Sequence, residues 1–112
     1  VGASGTSQLG TDISENIIIP IEAIVYQNYP NPFNPVTNIR YDLSKDALVR
    51  ISILNTKGQV VKTLIDGWQN SGKNEIIWDA TNSLNQTVAA GVYLFVLDVG
   101  DLKQMRKMIL LK

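Results

Sequence analysis

Apolar and polar residues alternate along most of this chain, in short runs separated by small or polar residues. In TNIRYDL, Ile39, Tyr41 and Leu43 lie on one side of an extended chain and the polar residues on the other. ALVRISILN repeats the pattern and groups Val49 with Ile51 and Ile53. A period of two predicts β-strands with one buried face.

Further runs of the same type are bounded by Gly, Asn, Ser or Asp: IIIPIEAIVYQ (Ile17–Gln27), VVKTLI, NEIIWDA, GVYLFVLDVG and KQMRKMILLK. Pro20 cannot donate to a ladder, so the first run predicts an edge strand or one that switches sheets. Val92–Val99 is apolar on both sides, which predicts a central strand. In the turn NTKGQ, Asn55 and Gly58 are expected to adopt positive φ.

Together the runs predict about seven short strands, with no stretch of helical period. The fold class predicted is all-β, a single immunoglobulin-like antiparallel β-sandwich over residues 17–112. Residues 1–16 begin with VGASGTSQLGTD, which is small and polar and predicts a flexible linker. The chain is therefore predicted to be one linker followed by one domain.

A proline-rich elbow, NYPNPFNPVTNIRYDL (Asn28–Leu43), precedes the clearest strand. Its three prolines are Pro30, Pro32 and Pro35. Because proline lacks an N–H and fixes φ, none of them fits inside a ladder. We expect a stiff crossover from one sheet to the other, with Phe33 covering the end of the core. Asn31 and Asn34 are expected to close local turns through their side chains.

Composition argues against catalysis. The chain has no Cys and no His, which removes the usual nucleophile–base pairs and the usual zinc ligands. Its carboxylates fall mostly at predicted strand ends or solvent faces, so we expect no enzyme, no catalytic residues, no metal and no cofactor. Ten basic and ten acidic residues cancel, and no nucleic-acid partner is expected.

The chain has no apolar run approaching the roughly 20 residues of a membrane-spanning helix. Its start does not resemble a signal peptide, so if the protein is exported, its export signal is expected upstream. Charge is unevenly placed. All charged side chains among the first 22 residues are acidic, whereas those after residue 102 are all basic: Lys103, Arg106, Lys107 and Lys112. KQMRKMILLK therefore has two open interpretations, an edge strand guarded by lysines and a terminal address that a receptor reads.

Two loops have alternative interpretations. Asp79–Gln86 (DATNSLNQ) clusters side-chain oxygens but has one carboxylate, so we favour a turn closed by Asx hydrogen bonds over a calcium site. Trp68, in DGWQNSG, is predicted to lie in a loop, either folded over the end of the sandwich or marking a contact surface. Trp78 shares a strand face with Ile76 and is predicted to be core.

Four blocks resemble the C-terminal sorting domains (type A) of the type IX secretion system of Bacteroidetes and related bacteria. They are YPNPFNPVTNIRYDL (Tyr29–Leu43), VRISILNTKGQVVKTL (Val49–Leu64), AAGVYLFVLDVG (Ala89–Gly100) and KQMRKMILLK (Lys103–Lys112). The resemblance spans residues 25–112 and is specific only in combination. Ala80 and Ala89 depart from it, since family members often carry Gly at the first position and some carry Pro at the second.

The resemblance implies a non-catalytic domain that directs an upstream cargo protein to the cell surface. Its implied partners are the outer-membrane translocon, a surface sortase-like peptidase, and the cargo domain of the same precursor. The implied route is export, with the periplasm in transit and then the outer-membrane surface or secretion. The implied recognition residues are Gly91, Val92, Tyr93, Lys103, Arg106, Lys107 and Lys112, and cleavage is expected within Gly2–Glu15.

Three alternatives remain open. The Ig-like domain of the flagellar hook-capping protein shares the Gly-x-Tyr strand and the WD turn, and there the domain is a structural module. Alternatively, Ile17–Val25 adds as a strand to a neighbouring copy and the chain self-associates. A carbohydrate-binding sandwich is less favoured, because most of the aromatic residues fall at core-facing positions.

Overall fold

The computed structural model describes residues 22–111. Within that range the chain forms seven strands and no helix, so it has no helix that could span a membrane. The strands are β1 (Ala23–Val25), β2 (Thr37–Leu43), β3 (Ala47–Leu54), β4 (Val60–Gln69), β5 (Gly72–Trp78), β6 (Gly91–Val99) and β7 (Leu102–Leu110).

The strands form two sheets, one of three strands in the order β1-β2-β5 and one of four in the order β4-β3-β6-β7. All neighbouring strands are antiparallel. The predicted immunoglobulin-like sandwich of about seven strands is therefore confirmed. β6 lies inside its sheet, as its two apolar faces predicted, and β1 lies at an edge.

The core lies between the sheets and follows the alternation of the sequence. Ile39, Tyr41 and Leu43 of β2 are at most 4% exposed and belong to one buried cluster with Ile51 and Ile53 of β3. Each fully buried large apolar side chain stabilises the fold by about 1.5–3 kcal/mol relative to an exposed one. With no cysteine in the chain, this burial and the strand pairing stabilise the sandwich.

The proline elbow contacts both sheets but does not cross between them. It leaves β1 and returns to β2, which belongs to the same sheet, so the predicted crossover is wrong. At its middle, Phe33 N–H donates to Ile109 O (3.0 Å), and Leu111 N–H donates to Phe33 O (2.8 Å). The Phe33 ring is buried, as expected. The elbow therefore ties β7 to the opposite sheet while β1 and β2 remain neighbours.

The asparagines of the elbow act differently from the prediction. Asn31 Oδ1 accepts from the distant Ile109 N–H (2.9 Å) instead of closing a local turn. The local closure comes from Asn28, which is buried and donates to Pro30 O (3.2 Å) and Thr37 Oγ1 (2.9 Å). A buried amide needs such partners. Within residues 22–111, no hydrogen bond of the Asn34 side chain supports its predicted turn.

Two other local predictions are corrected. Gly58 has the expected positive φ (84°), but Asn55 does not. Asn55 Oδ1 instead accepts from Lys57 N–H (3.0 Å) and Gln59 N–H (2.9 Å), which closes an Asx turn. Trp68 lies in β4 and not in a loop, because the strand continues to Gln69. Its side chain is 62% exposed and pairs in register with Leu48.

Candidate functional site

The β6–β7 hairpin has one face toward the core and one toward solvent. Tyr93, Phe95 and Leu97 belong to the buried cluster, so the alternate positions of β6 point outward. The register sets Val92 opposite Ile109, Leu94 opposite Lys107, Val96 opposite Met105 and Asp98 opposite Lys103. We call these eight residues the outer hairpin face.

This face divides the predicted recognition residues into two groups. Val92, Lys103 and Lys107 lie on it together, whereas Tyr93 and Arg106 are on the opposite face of their strands. The resemblance assigned all five to the recognition of the domain by the secretion machinery. The alternation of the strand separates them, because adjacent residues point to opposite faces.

The outer hairpin face combines apolar surface with positive charge. Met105 is 52% and Val92 38% exposed, and Val96 is buried between its register partners on neighbouring strands. Lys103 Nζ lies 3.7 Å from Asp98 Oδ1. Lys107 forms no ion pair within residues 22–111. The arrangement suits an apolar partner segment that carries negative charge.

Tyr93 is packed in the core and contributes to the fold. Its ring contacts the buried Trp78 edge-on, with 5.3 Å between centroids, and Phe33 lies 5.7 Å from Trp78 on another side. Its hydroxyl donates to Ala89 O (2.6 Å). Burial raises the pKa of Tyr93 above that of an ordinary tyrosine. These contacts account for an aromatic residue with a polar tip at this position.

Gly91 begins β6 with a φ of 148°, a conformation that side chains with a Cβ rarely adopt. A Cβ built there would meet no atom within 4 Å. The requirement for glycine is therefore conformational and does not come from crowding.

Arg106 and Gln104 cover the free edge of β1 in the opposite sheet. Gln104 Nε2 donates to Ala23 O (2.9 Å), and Gln104 Oε1 accepts from Val25 N–H (3.1 Å). Arg106 Nη2 donates to Val25 O (3.2 Å). The backbone of β1 that faces away from β2 is thus paired by side chains where a further strand would otherwise bind.

The outer edge of β7 is covered along its C-terminal half. Asn31 and Phe33 pair with Ile109 and Leu111, and Gln27 Nε2 donates to Lys107 O (2.8 Å). Within the described part of the chain, the backbone of this edge has no partner around Lys103 and Met105.

Comparison with known proteins identifies the scaffold. Residues 34–101, more than half of the chain, match the FlgD Ig-like domain family. The chain belongs to the FlgD Ig-like domain family. The matched range ends before β7, so Gly91, Val92 and Tyr93 lie inside it, whereas Lys103, Arg106 and Lys107 lie beyond it. No curated protein matches the chain.

Solved structures show the same sandwich at low sequence identity. Dimeric latent PorU from Porphyromonas gingivalis superposes with a TM-score of 0.67 at 24% identity, over 84% of this chain and 10% of PorU. PorZ from the same organism gives 0.56 at 22% identity, over 79% of this chain and 11% of PorZ. The DNA glycosylase AlkC from Pseudomonas fluorescens gives 0.53 at 14% identity, over 81% and 31%. At these identities the likeness shows the fold alone.

In this FlgD Ig-like domain, the outer hairpin face also contains three outward apolar residues that were not among the predicted recognition residues. Leu94, Met105 and Ile109 supply its apolar part. The signal was present in KQMRKMILLK, because alternation places Lys103, Met105 and Lys107 on one side. The role of Gln104 had no such signal, since its partners are about 80 residues away in the chain.

The loop Asp79–Gln86 is closed by its own side chains. Asn82 Oδ1 accepts from Leu84 N–H (2.9 Å) and Gln86 N–H (3.0 Å), which confirms the predicted Asx turn. Asp79 accepts from the Thr81 hydroxyl, and that bond, with help from Lys62, holds the pKa of Asp79 below its usual value. No group of three or more potential metal-ligating side chains occurs among residues 22–111.

Several predictions lie outside the described residues. They concern Lys112, the linker 1–16, the cleavage region Gly2–Glu15 and the start of the first run at 17–21. The end of that run pairs within its own chain, since Ala23–Val25 forms β1 against β2. For those three residues, addition to a neighbouring copy would require the breaking of either the pairing with β2 or the bonds that Gln104 and Arg106 make to the other edge of β1.

Proposed function

We propose that this chain is a non-catalytic sorting domain that directs an upstream cargo protein through the type IX secretion system. The cargo would pass through the periplasm to the outer-membrane surface or beyond, and its partners would be the translocon and a surface sortase-like peptidase. The four sequence blocks support this function. The likeness to PorZ, an essential bacterial surface component of that system, is consistent with it.

The observation that carries the proposal is the grouping of Val92, Lys103 and Lys107 on the outer hairpin face. These three residues were assigned by resemblance and share one exposed surface, whereas the inward residues of the same hairpin build the core. The scaffold can therefore present this surface without rearranging. Gly91, Tyr93 and Arg106 would contribute by stabilising the fold that presents this surface.

A charge-reversal experiment tests the sorting function. A reporter enzyme is fused ahead of residue 1 and expressed in a type IX-competent bacterium. We expect the wild-type fusion to reach the surface and the Lys103→Glu/Lys107→Glu fusion to accumulate mainly in the periplasm. Lys103→Glu removes the ion pair with Asp98 and sets a second carboxylate opposite it, so we expect this variant to lose about 1–2 kcal/mol of stability.

A matched control separates recognition from net charge. Lys57→Glu/Lys73→Glu makes the same change in charge at two exposed lysines away from the outer hairpin face, and this fusion should be exported normally. Thermal melts of both purified variants establish that each remains folded. Normal surface delivery of the Lys103/Lys107 variant would contradict the proposal.

A second candidate is a structural module of the flagellar hook-cap type, favoured by the family match over residues 34–101. In that case copies would associate, and β7 has uncovered backbone around Lys103 and Met105. Sedimentation velocity distinguishes the candidates: concentration-dependent growth into large assemblies supports a structural module, and a monomer at all concentrations supports sorting.

A further inference from the structure

The outer face of the three-stranded sheet carries a groove. The outer hairpin face, by contrast, belongs to the four-stranded sheet. A cavity of about 410 Å³ is lined by Tyr29, Asn38, Arg40 and Glu75. A second cavity of about 420 Å³ is lined by Tyr26, Arg40, Asp42, Lys73, Asn74 and Glu75. Arg40 and Glu75 line both cavities, and we call the two cavities together the aromatic groove.

Two opposite charges meet in the groove without pairing. Arg40 and Glu75 are direct neighbours across β2 and β5, a position at which ion pairs commonly form. Neither makes an ion pair within the described residues. The Arg40 guanidinium lies 5.4 Å from the centre of the Tyr26 ring, where a cation–π interaction holds it. A donor and an acceptor therefore both line the same cavity.

The Tyr26 ring is itself held in place. Its hydroxyl donates to Asp42 Oδ2, and this bond is the main reason why the pKa of Tyr26 is raised. The contacts from Asp42 through Tyr26 to Arg40 fix one wall of the groove. A wall that is ordered in advance reduces the entropy lost when a ligand binds.

Tyr29 forms the other end of the groove and is 72% exposed. Its backbone forms two hydrogen bonds with that of Asn38: Tyr29 N–H donates to Asn38 O (3.0 Å), and Asn38 N–H donates to Tyr29 O (2.9 Å). The ring is not part of the buried cluster. Its attachment is thus rigid, and the ring face is open for contact.

We propose that the aromatic groove binds a neutral saccharide. An anionic ligand would meet Glu75 in the cavity that it shares with Arg40, and a cationic ligand would meet Arg40. Sugar hydroxyls both donate and accept, so they satisfy the guanidinium, the carboxylate and the Asn38 amide together. The apolar face of a pyranose ring stacks on Tyr29, a shape for which an exposed aromatic face is suited.

Titration by NMR tests the site. The ¹⁵N-labelled domain is titrated separately with cellohexaose, xylohexaose, maltohexaose and chitohexaose. We expect at least one of them to shift the amide signals of Asn38, Arg40 and Glu75, with an affinity that is the same at low and high salt because the ligand is uncharged. In Tyr29→Ala, which removes no core contact, the affinity should fall about tenfold. Glu75→Gln, which keeps the shape of the side chain, should also weaken binding.

Trp68→Ala is the matched control, because this aromatic is also exposed (62%) but lies on the four-stranded sheet. Its affinity should equal that of the wild-type domain. The proposal is overturned if none of the four saccharides shifts these signals, if the shifts cluster around Trp68, or if Tyr29→Ala binds as well as the wild type. Stronger shifts of the same signals with inorganic phosphate than with any saccharide would also overturn it.

Discussion

Ala80 has a φ of 63°, a conformation that favours glycine, and its side chain is buried in the core cluster. This is the position at which sorting domains often carry glycine. The left-handed conformation costs an alanine about 1–2 kcal/mol, whereas glycine adopts it without strain. The departure from the resembling family is therefore a local strain that the remaining fold accommodates.

A comparison of two alanine-to-glycine substitutions measures this strain. Ala80→Gly loses a buried methyl group and gains backbone freedom in the unfolded state, but it relieves the strain, so we expect a net change within about 0.5 kcal/mol. Ala47→Gly also removes a buried methyl group and gains backbone freedom in the unfolded state, but Ala47 lies in β3 without positive φ. Its free energy of unfolding should therefore fall by about 1–2 kcal/mol. Urea unfolding measures both, and equal losses would contradict the assignment of strain.

β7 contributes side chains to three parts of the molecule: the core, the outer hairpin face and the edge of β1. Its inward Met108 and Leu110 are at most 1% exposed, its outward Lys103 and Lys107 lie on the outer hairpin face, and Gln104 covers the edge of β1. β7 is an edge strand of its sheet and carries Lys103 and Lys107 exposed, so the edge-strand interpretation of the basic terminal run is confirmed, and the address interpretation stays a prediction.

Removal of the Gln104 amide should weaken the edge of β1. Gln104→Ala breaks two hydrogen bonds to the backbone of β1, and at about 0.5–1.5 kcal/mol each we expect a loss of about 1–3 kcal/mol. The freed edge should also increase self-association, measured by sedimentation velocity. Lys57→Ala, at an exposed lysine whose side chain forms no ion pair within residues 22–111, is the control and should change neither property. An unaltered urea midpoint in Gln104→Ala would show that the two bonds contribute little.

At the scale of the whole molecule, alternation predicted the architecture well. TNIRYDL matches β2 from Thr37 to Leu43, and the two apolar faces of β6 placed it inside a sheet. Errors arose where long-range contacts decide the structure. Asn31 was expected to bond locally but bonds a residue 78 positions away, and the elbow contacts β7 although the strands on either side of it, β1 and β2, pair in the other sheet. Neither partner is visible in a local window of sequence.

The candidate site was predictable in its residue types but not in its grouping. Resemblance supplied all five of Val92, Tyr93, Lys103, Arg106 and Lys107. Alternation along each strand separates Tyr93 and Arg106 from the other three, and the register shows that Val92 and the two lysines share one face. The aromatic groove had no signal in the sequence, since its walls come from β2, β5 and the segment between β1 and β2.

Matched truncations test the integrity of the sandwich. Deletion of Lys103–Lys112 removes Met108 and Leu110, which together contribute about 3–6 kcal/mol of burial. Typical domains have only about 5–15 kcal/mol of stability, so we expect loss of the cooperative urea transition followed by tryptophan fluorescence. Deletion of residues 1–16, predicted to be a linker, should leave the midpoint unchanged. A cooperative transition in the first truncation would contradict the role assigned to β7.

The bonds between the elbow and the end of β7 join residues 31–33 to residues 109–111. During biosynthesis, the N-terminal partners leave the ribosome long before the C-terminal ones, so these bonds form only when residue 111 has emerged. A message cut short within β7 therefore yields a polypeptide whose Phe33 amide and carbonyl remain uncovered. Such a product lacks the pairing that holds the elbow against the opposite sheet.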